Sequence, residues 1–173
     1  MSLPDRITLD GNGLRLREWA DADLPAMVEL FDEPEVARWT PWPAPFDLAA
    51  ARRHLDQART RRVEGRSIQL AVTTDGRTPL GEVLLFPTGP DGRDPAGPDA
   101  ELGYAIGLAH RGQGLATCAV EVMTGYAIRE LAVRHVILHI DAGNAASARV
   151  ARSAGFRLVG EAANAGTRRT WRR

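Results

Sequence analysis

The chain has 173 residues, 44% hydrophobic and 25% charged, with 22 basic residues balanced by 22 acidic ones. One domain of this size, 1–173, can bury a sizeable core. Zero net charge argues against non-specific nucleic-acid binding, and no apolar run is long enough for a membrane span or a leader segment. Every basic residue is arginine, which excludes a lysine-dependent phosphate loop and a lysine Schiff base. A lone cysteine, Cys118, leaves no internal disulfide and fits a reducing cytoplasm.

In chain order, Ile7 and Leu9, then Leu14 and Leu16, alternate around a "DGNG" turn and predict an opening strand pair. Residues 21–34 predict a helix capped by Asp21 or Asp23, with Pro25 in its first turn and Pro34 at its end. "WTPWPAPF", with three prolines in eight residues, predicts irregular chain. Asp47 caps a second helix to about residue 64, stopped by Gly65. The period then becomes two, and "SIQLAVTT" and "LGEVLLF" flank a "DGRTP" turn as a hairpin. "PTGPDGRDPAGPD" predicts a loop.

"AELGYAIGLA" predicts a strand with unequal faces. Leu102, Tyr104, Ile106 and Leu108 make one face bulky, while Glu101, Gly103, Ala105 and Gly107 leave the other nearly empty. An empty face predicts a ligand or another backbone close by. From Gly114 to about residue 131, Leu115, Ala119, Val122, Met123, Tyr126 and Ala127 recur at helical spacing. "RHVILHID" predicts a buried strand parallel to the one before that helix. Asn144 caps a short helix ending at Gly155, and "FRLVGEA" and "TRRTWRR" close the sheet. There is no internal repeat. The fold class is α+β (mixed α/β), a mixed, mostly antiparallel sheet flanked by helices.

The strand-to-helix junction Arg111, Gly112, Gln113, Gly114, Leu115, Ala116, Thr117 carries the chemistry. A helix start offers unpaired N–H groups and a positive dipole end, and glycines let them surround a pyrophosphate. Thr117 adds a hydroxyl and Arg111 a charge. A glycine-rich turn with no ligand is the plain alternative. A dinucleotide fingerprint, with Asp141 on the ribose, fits less well. Thr117 replaces the third small residue, His110 and Arg111 interrupt the apolar strand end, and little chain follows Asp141.

Arg111, Gly114 and Ala116 match the Arg/Gln-x-x-Gly-x-Gly/Ala signature of the GNAT superfamily of N-acetyltransferases, which this chain resembles. "NAASARVARSAGF" is similar to the Asn-x-x-Ser...Gly-Phe segment of the branch that includes ribosomal-protein N-terminal acetyltransferases, and "AELGYAI" and "WTPWP" also look like that branch. The resemblance implies acetyl-CoA as cosubstrate, no metal, and a parallel β-α-β cofactor unit splayed open for the pantetheine arm. It implies that residues 111–117 wrap the pyrophosphate and that the Ile106 N–H polarises the thioester carbonyl. It also implies that Asn144 touches the arm and that Ser147 places a hydroxyl at the departing thiolate. The acceptor would be a small-molecule or peptide amine attacking directly in a ternary complex, and a homodimer is compatible with the branch.

Many relatives use a tyrosine as the acid, and the Asn144 helix has none, which leaves Ser147 or a water. Glu101 is the first candidate base, with Glu82 and Glu161 behind it, and the late glutamate of some relatives is missing from "ANAGTRR". Trp39, Trp42 and Phe46 are candidate acceptor-binding residues, since an apolar cluster in irregular chain is either a pocket wall or a core plug. The four histidines lack metal-ligand spacing, and Cys118 reads as packed rather than nucleophilic. A non-catalytic acyl-CoA-binding module and a nucleotide-cofactor protein are the rival readings.

Overall fold

The computed structural model describes residues 6–86, 99–162 and 168–173. The strands are β1 (Thr8–Gly11), β2 (Leu14–Glu18), β3 (Ile68–Thr73), β4 (Gly81–Phe86), β5 (Asp99–Ile106), β6 (His135–Asp141), β7 (Arg157–Ala162) and β8 (Arg168–Arg172). They form one sheet in the order β1-β2-β3-β4-β5-β6-β8-β7. Only the β5–β6 pair is parallel among them. The helices are α1 (Leu24–Phe31), α2 (Pro34–Trp39), α3 (Leu48–Val63), α4 (Leu115–Glu130) and α5 (Ala145–Ser153). This is the α+β architecture expected, and the β3–β4 hairpin and the closing β7–β8 pair fall where the alternation put them. The "PTGPDGRDPAGPD" loop lies almost wholly outside the described residues, as does most of "ANAGTRR".

Two cores sandwich the sheet. Alternate residues of the strands, such as Leu102, Ile106, Leu138, Ile140 and Trp171, meet α4 and α5 on one face. Ala71 and Ala105 meet α1, α2 and α3 on the other. The period-2 pleat sorts the residues between the cores. Helix caps follow the sequence closely: Asp47 Oδ1 accepts from Ala50 N at 2.8 Å, and Gly65 takes φ 68° past the end of α3. Asp23 acts differently from a simple cap. Its carboxylate accepts from the Ala20 N–H and is forked by Arg17 at 2.7 and 2.9 Å.

Pro34 does not end a helix; it begins one. Glu33 is extended and caps α2, so the missing proline N–H costs nothing in the first turn. Trp39 is therefore the last helical residue rather than part of an irregular run. The small face of β5 allows close approach. A Cβ on Gly107 would sit 2.3 Å from Leu30 Cδ2, so this glycine admits α1, and Ala105 is packed into the second core while also lining the cleft beside the sheet.

What positions the site is where β5 and β6 part. They pair only through residues 99–101 and 135–137. Beyond Glu101 the strands separate, while β5 stays fully paired to β4 on its other side. The Gly107 N–H donates to Leu80 O, on the β4 side. Backbone polar groups alternate sides along a strand, so the Ile106 N–H and C=O point into the split.

Candidate active site

A cleft of ≈470 Å³ opens from this split. Its walls come from the end of β5, the turn into α4, the inner side of α5, and α2 across the top, and among its lining residues are Tyr104, Ile106, Gly114, Asn144, Ser147 and Trp39. Such a volume is that of a small-molecule site.

The turn at its mouth presents an uncapped helix start. Gly112 and Gly114 hold φ 74° and 77°, and a Cβ on either would meet no atom within 4 Å. Glycine is there for the left-handed backbone, and it also leaves the approach open. Gly114 is the N-cap of α4 and offers no side-chain cap. The first intrahelical bond of the turn runs from Cys118 N to Gly114 O at 3.1 Å. The N–H groups of Leu115, Ala116 and Thr117 precede it and are the orphan donors of the helix start. Leu115, Ala116 and Thr117 line the cleft with Arg111, Gly112 and Gly114. Arg111 is already engaged: its Nε donates to Ile106 O at 3.0 Å, and its Nη2 meets Glu33 Oε2 at 2.5 Å. It ties the split to the start of α2.

On the α5 side, Asn144 Oδ1 accepts from Ser147 N at 3.0 Å, the expected helix cap. Ser147 lies beside Tyr104 on the cleft wall, and Tyr104 is the residue that sequence reasoning missed. It sits on the bulky face of β5, which read as core. Its hydroxyl oxygen is buried with no hydrogen-bond partner. Burial pushes its pKa up to about 12, and Ser147 beside it offsets only part of that. A buried phenol facing a cleft stays protonated and can offer its O–H as a hydrogen bond to a group lodged there. The strict alternation that placed it opposite Ala105 could have found it, because it is the one polar group on that face.

The opposite face of the split carries the acidic candidate. Glu101 Oε1 lies 3.5 Å from Arg168 Nη2, and its Oε2 lies 4.0 Å from His139 Nε2. Glu82 is fully buried and held by His54 Nε2 at 3.0 Å and by Gln69. Burial works against the His54 charge, but Glu82 outweighs it and raises the His54 pKa. Glu161 pairs with Arg169 at 2.6 Å on the outer strands. Of the three carboxylates, only Glu101 stands at the point where the strands part.

Trp39 is half-buried on the cleft wall. Its Nε1 donates to Glu35 Oε2 at 2.9 Å, and a Cβ on Gly143 would lie 3.5 Å from its ring, so it bridges α2 to the turn before α5. Phe46 is 1% exposed and belongs to the second core, so it plugs rather than lines. Trp42 packs over Phe31 and His54 with ring centroids 4.7 and 4.9 Å apart. Among the described residues no cluster of side chains suits a metal ion, and no helix is long and apolar enough to cross a membrane.

A sheet that opens beside the one parallel pair among the described residues, with an uncapped glycine-rich helix start at the mouth and hydroxyls along one wall, is a frame suited to a phosphate-bearing ligand. Residues 13–157 match the family model described as "Acetyltransferase (GNAT) domain". The chain belongs to the GNAT acetyltransferase family. No curated protein sequence matches it significantly.

Solved structures share its fold at low identity. Mycobacterium smegmatis RimJ in complex with CoA-disulfide has TM-score 0.81 at 17% identity, over 97% of this chain and 86% of that one. The Vibrio fischeri ribosomal-protein-S5-alanine acetyltransferase has TM-score 0.79 at 17%, over 96% of each. The microcin C7 self-immunity acetyltransferase MccE, in complex with acetyl-CoA and AMP, has TM-score 0.82 at 16%, over 94% and 93%.

Proposed function

We propose that the chain transfers the acetyl group of acetyl-CoA to a primary amine, either a peptide N-terminus or a small-molecule amine, by direct attack in a ternary complex. The observation that carries this is the cleft itself, which runs from the uncapped helix start at residues 114–117 past Tyr104, Ala105 and Ile106 of β5 to Asn144 and Ser147. The solved relatives named as CoA or acetyl-CoA complexes support acetyl-CoA as the donor.

In this reading the N–H groups of Leu115, Ala116 and Thr117, with Gly112, Gln113 and Gly114 shaping the turn, hold the pyrophosphate. Asn144 keeps its amide N–H₂ free for the pantetheine arm, since its Oδ1 is used as a cap. The Ile106 N–H polarises the thioester carbonyl. As the C–N bond forms and the C–S bond breaks, the amine loses a proton on the Glu101 face. The departing sulfur gains one from the hydroxyl pair Tyr104 and Ser147. Trp39 walls the acceptor side, while Trp42 and Phe46 pack in the second core against Phe31 and His54.

The test is thiol release from acetyl-CoA over a panel of N-terminal peptides and primary amines, beside thermal stabilisation by CoA. Amine-dependent thiol release is expected. A chain stabilised by CoA that releases no thiol with any amine is a binding module, and one stabilised by neither CoA nor acetyl-CoA has no CoA site.

A further inference from the structure

The face of the split opposite Tyr104 and Ser147 holds a second constellation, which the histidine spacing alone did not single out. Glu101 and Ile137 are partners in the last parallel pair, so His139 and Asp141 share the Glu101 face. On the far side, β8 places Thr170 beside His139 and Arg168 beside Asp141. His139 Nδ1 is 3.3 Å from Thr170 Oγ1, and its Nε2 is 4.0 Å from Glu101 Oε2. The two side chains remain 30% and 18% exposed, so a molecule approaching this face reaches both.

We infer that His139 and Glu101 together form the seat and proton acceptor for the incoming ammonium, with His139 Nε2 taking the proton. This rests on the transferase reading above. A separation of 4.0 Å is too long for a hydrogen bond between the two groups. It is the span over which one nitrogen, about 2.8–3.0 Å from each, donates to both at once. In the tautomer whose Nδ1–H donates to Thr170 Oγ1, Nε2 carries the free lone pair. Burial lowers the His139 pKa; Glu101 opposes this and Arg168 adds to it. The ring is therefore neutral near neutral pH and able to accept. The groups facing it are Glu101 from β5, Arg168 and Thr170 from β8, and Asp141 on its own strand. When the ammonium gives its first proton to Nε2, the neutral amine attacks and the imidazolium stays beside Glu101, which compensates its charge; the second proton leaves the nitrogen for water as the C–N bond forms and the C–S bond breaks, and the sulfur takes its proton from Tyr104 and Ser147.

The experiment uses acetyl-CoA with short peptides bearing free N-terminal serine, alanine or methionine, and with spermidine, from pH 5.5 to 9. His139→Gln is expected to lower kcat by about a hundred-fold or more, as for loss of a general base, and to abolish the acidic limb of the pH profile. Glu101→Gln removes the charge that favours the imidazolium, so the limb moves to lower pH. CoA stabilisation and the unfolding transition should be retained in both. Wild-type kcat with the limb intact in His139→Gln overturns the assignment, as does a limb that stays in place in Glu101→Gln. If the wild type binds CoA but acetylates none of these amines, the transferase reading fails. The pair is then judged by NMR titration of the His139 ring, where a pKa unmoved by Glu101→Gln overturns it and a lowered one supports it.

Discussion

Tyr104→Phe removes one oxygen from the cleft wall and leaves the ring packed. The hydroxyl is buried and unpartnered, so in the resting protein it is a cost. An unsatisfied buried hydroxyl costs about 1–3 kcal/mol, and Ser147 nearby recovers some of that. The variant should gain about 1 kcal/mol, which for a chain of this length raises Tm by about 2–4 °C. In the proposed transfer the same hydroxyl meets a developing thiolate. A hydrogen bond to a charged group contributes about 1.5–3 kcal/mol, which at 1.36 kcal/mol per decade is about 10- to 150-fold in kcat. Ser147 remains, so the loss should fall in the lower part of that range. A phenol with pKa about 12 stays protonated throughout an assay from pH 6 to 9, so the loss should be equal across it. Thiol release at saturating acetyl-CoA, with Tm measured alongside, checks both halves. Unchanged kcat would make Tyr104 a packing residue. A fall in Tm would show that the hydroxyl is bonded and that the cost argument is wrong.

Four further outcomes follow from the geometry. Gly114→Val forces a β-branched residue to φ 77°, costing roughly 1–3 kcal/mol of strain, and should abolish thermal stabilisation by CoA while a cooperative unfolding transition remains. Glu33→Gln releases Arg111 from its ion pair; CoA affinity should rise about two- to five-fold, within the range of a partly exposed pair, and an affinity that falls would mean that the pair holds Arg111 in its binding position. The folded His54 pKa is raised above 6.5, so the stability this gives is fully present below about pH 6.5 and is lost as pH climbs through the folded value; the Tm gap between wild type and His54→Gln should narrow from pH 6 to 8.5, and a constant gap would show an uncharged pair. Trp42→Ala strips the cover from Phe31, Phe46 and His54 and should lower stability by roughly 2–4 kcal/mol with CoA affinity unchanged, as calorimetry would record.

Element order and caps were legible because they depend on neighbours in sequence. Asp47, Gly65, Asn144 and the alternation of β3 to β6 act over a few residues. The errors arose where a tertiary partner decided the outcome. Pro34 is equally compatible with ending a helix and starting one; the extended Glu33 before it, paired with Arg111 from the cofactor turn, selects the second. The small residues of β5 were read as a demand for close approach; at Gly107 the approaching group is Leu30, which no local pattern identifies. Tyr104 was grouped with the apolar residues of its face, and only the position of Ser147 on another element gives its hydroxyl a setting. His54 and His139 carry no motif at all. Each acquires meaning from a carboxylate 28 or 38 positions away in the chain, a spacing set by the sheet.

The pleat of two strands then accounts for the division of labour. Residues 102, 104 and 106 of β5 face α4 and α5, with 101, 103 and 105 on the other side; β6 alternates likewise, Leu138 and Ile140 against His139 and Asp141. Where these strands are hydrogen-bonded, the faces are sealed from each other. Where they part, a thioester lodged in the split is exposed to both. Hydroxyl donors, Tyr104 and Ser147, wait on the side where a sulfur would leave. A carboxylate and a neutral imidazole, Glu101 and His139, wait on the side where an amine would enter. In the proposed transfer, proton donor and proton acceptor thus stand on opposite faces of the sheet, and the split is where a single bond exchange can draw on both.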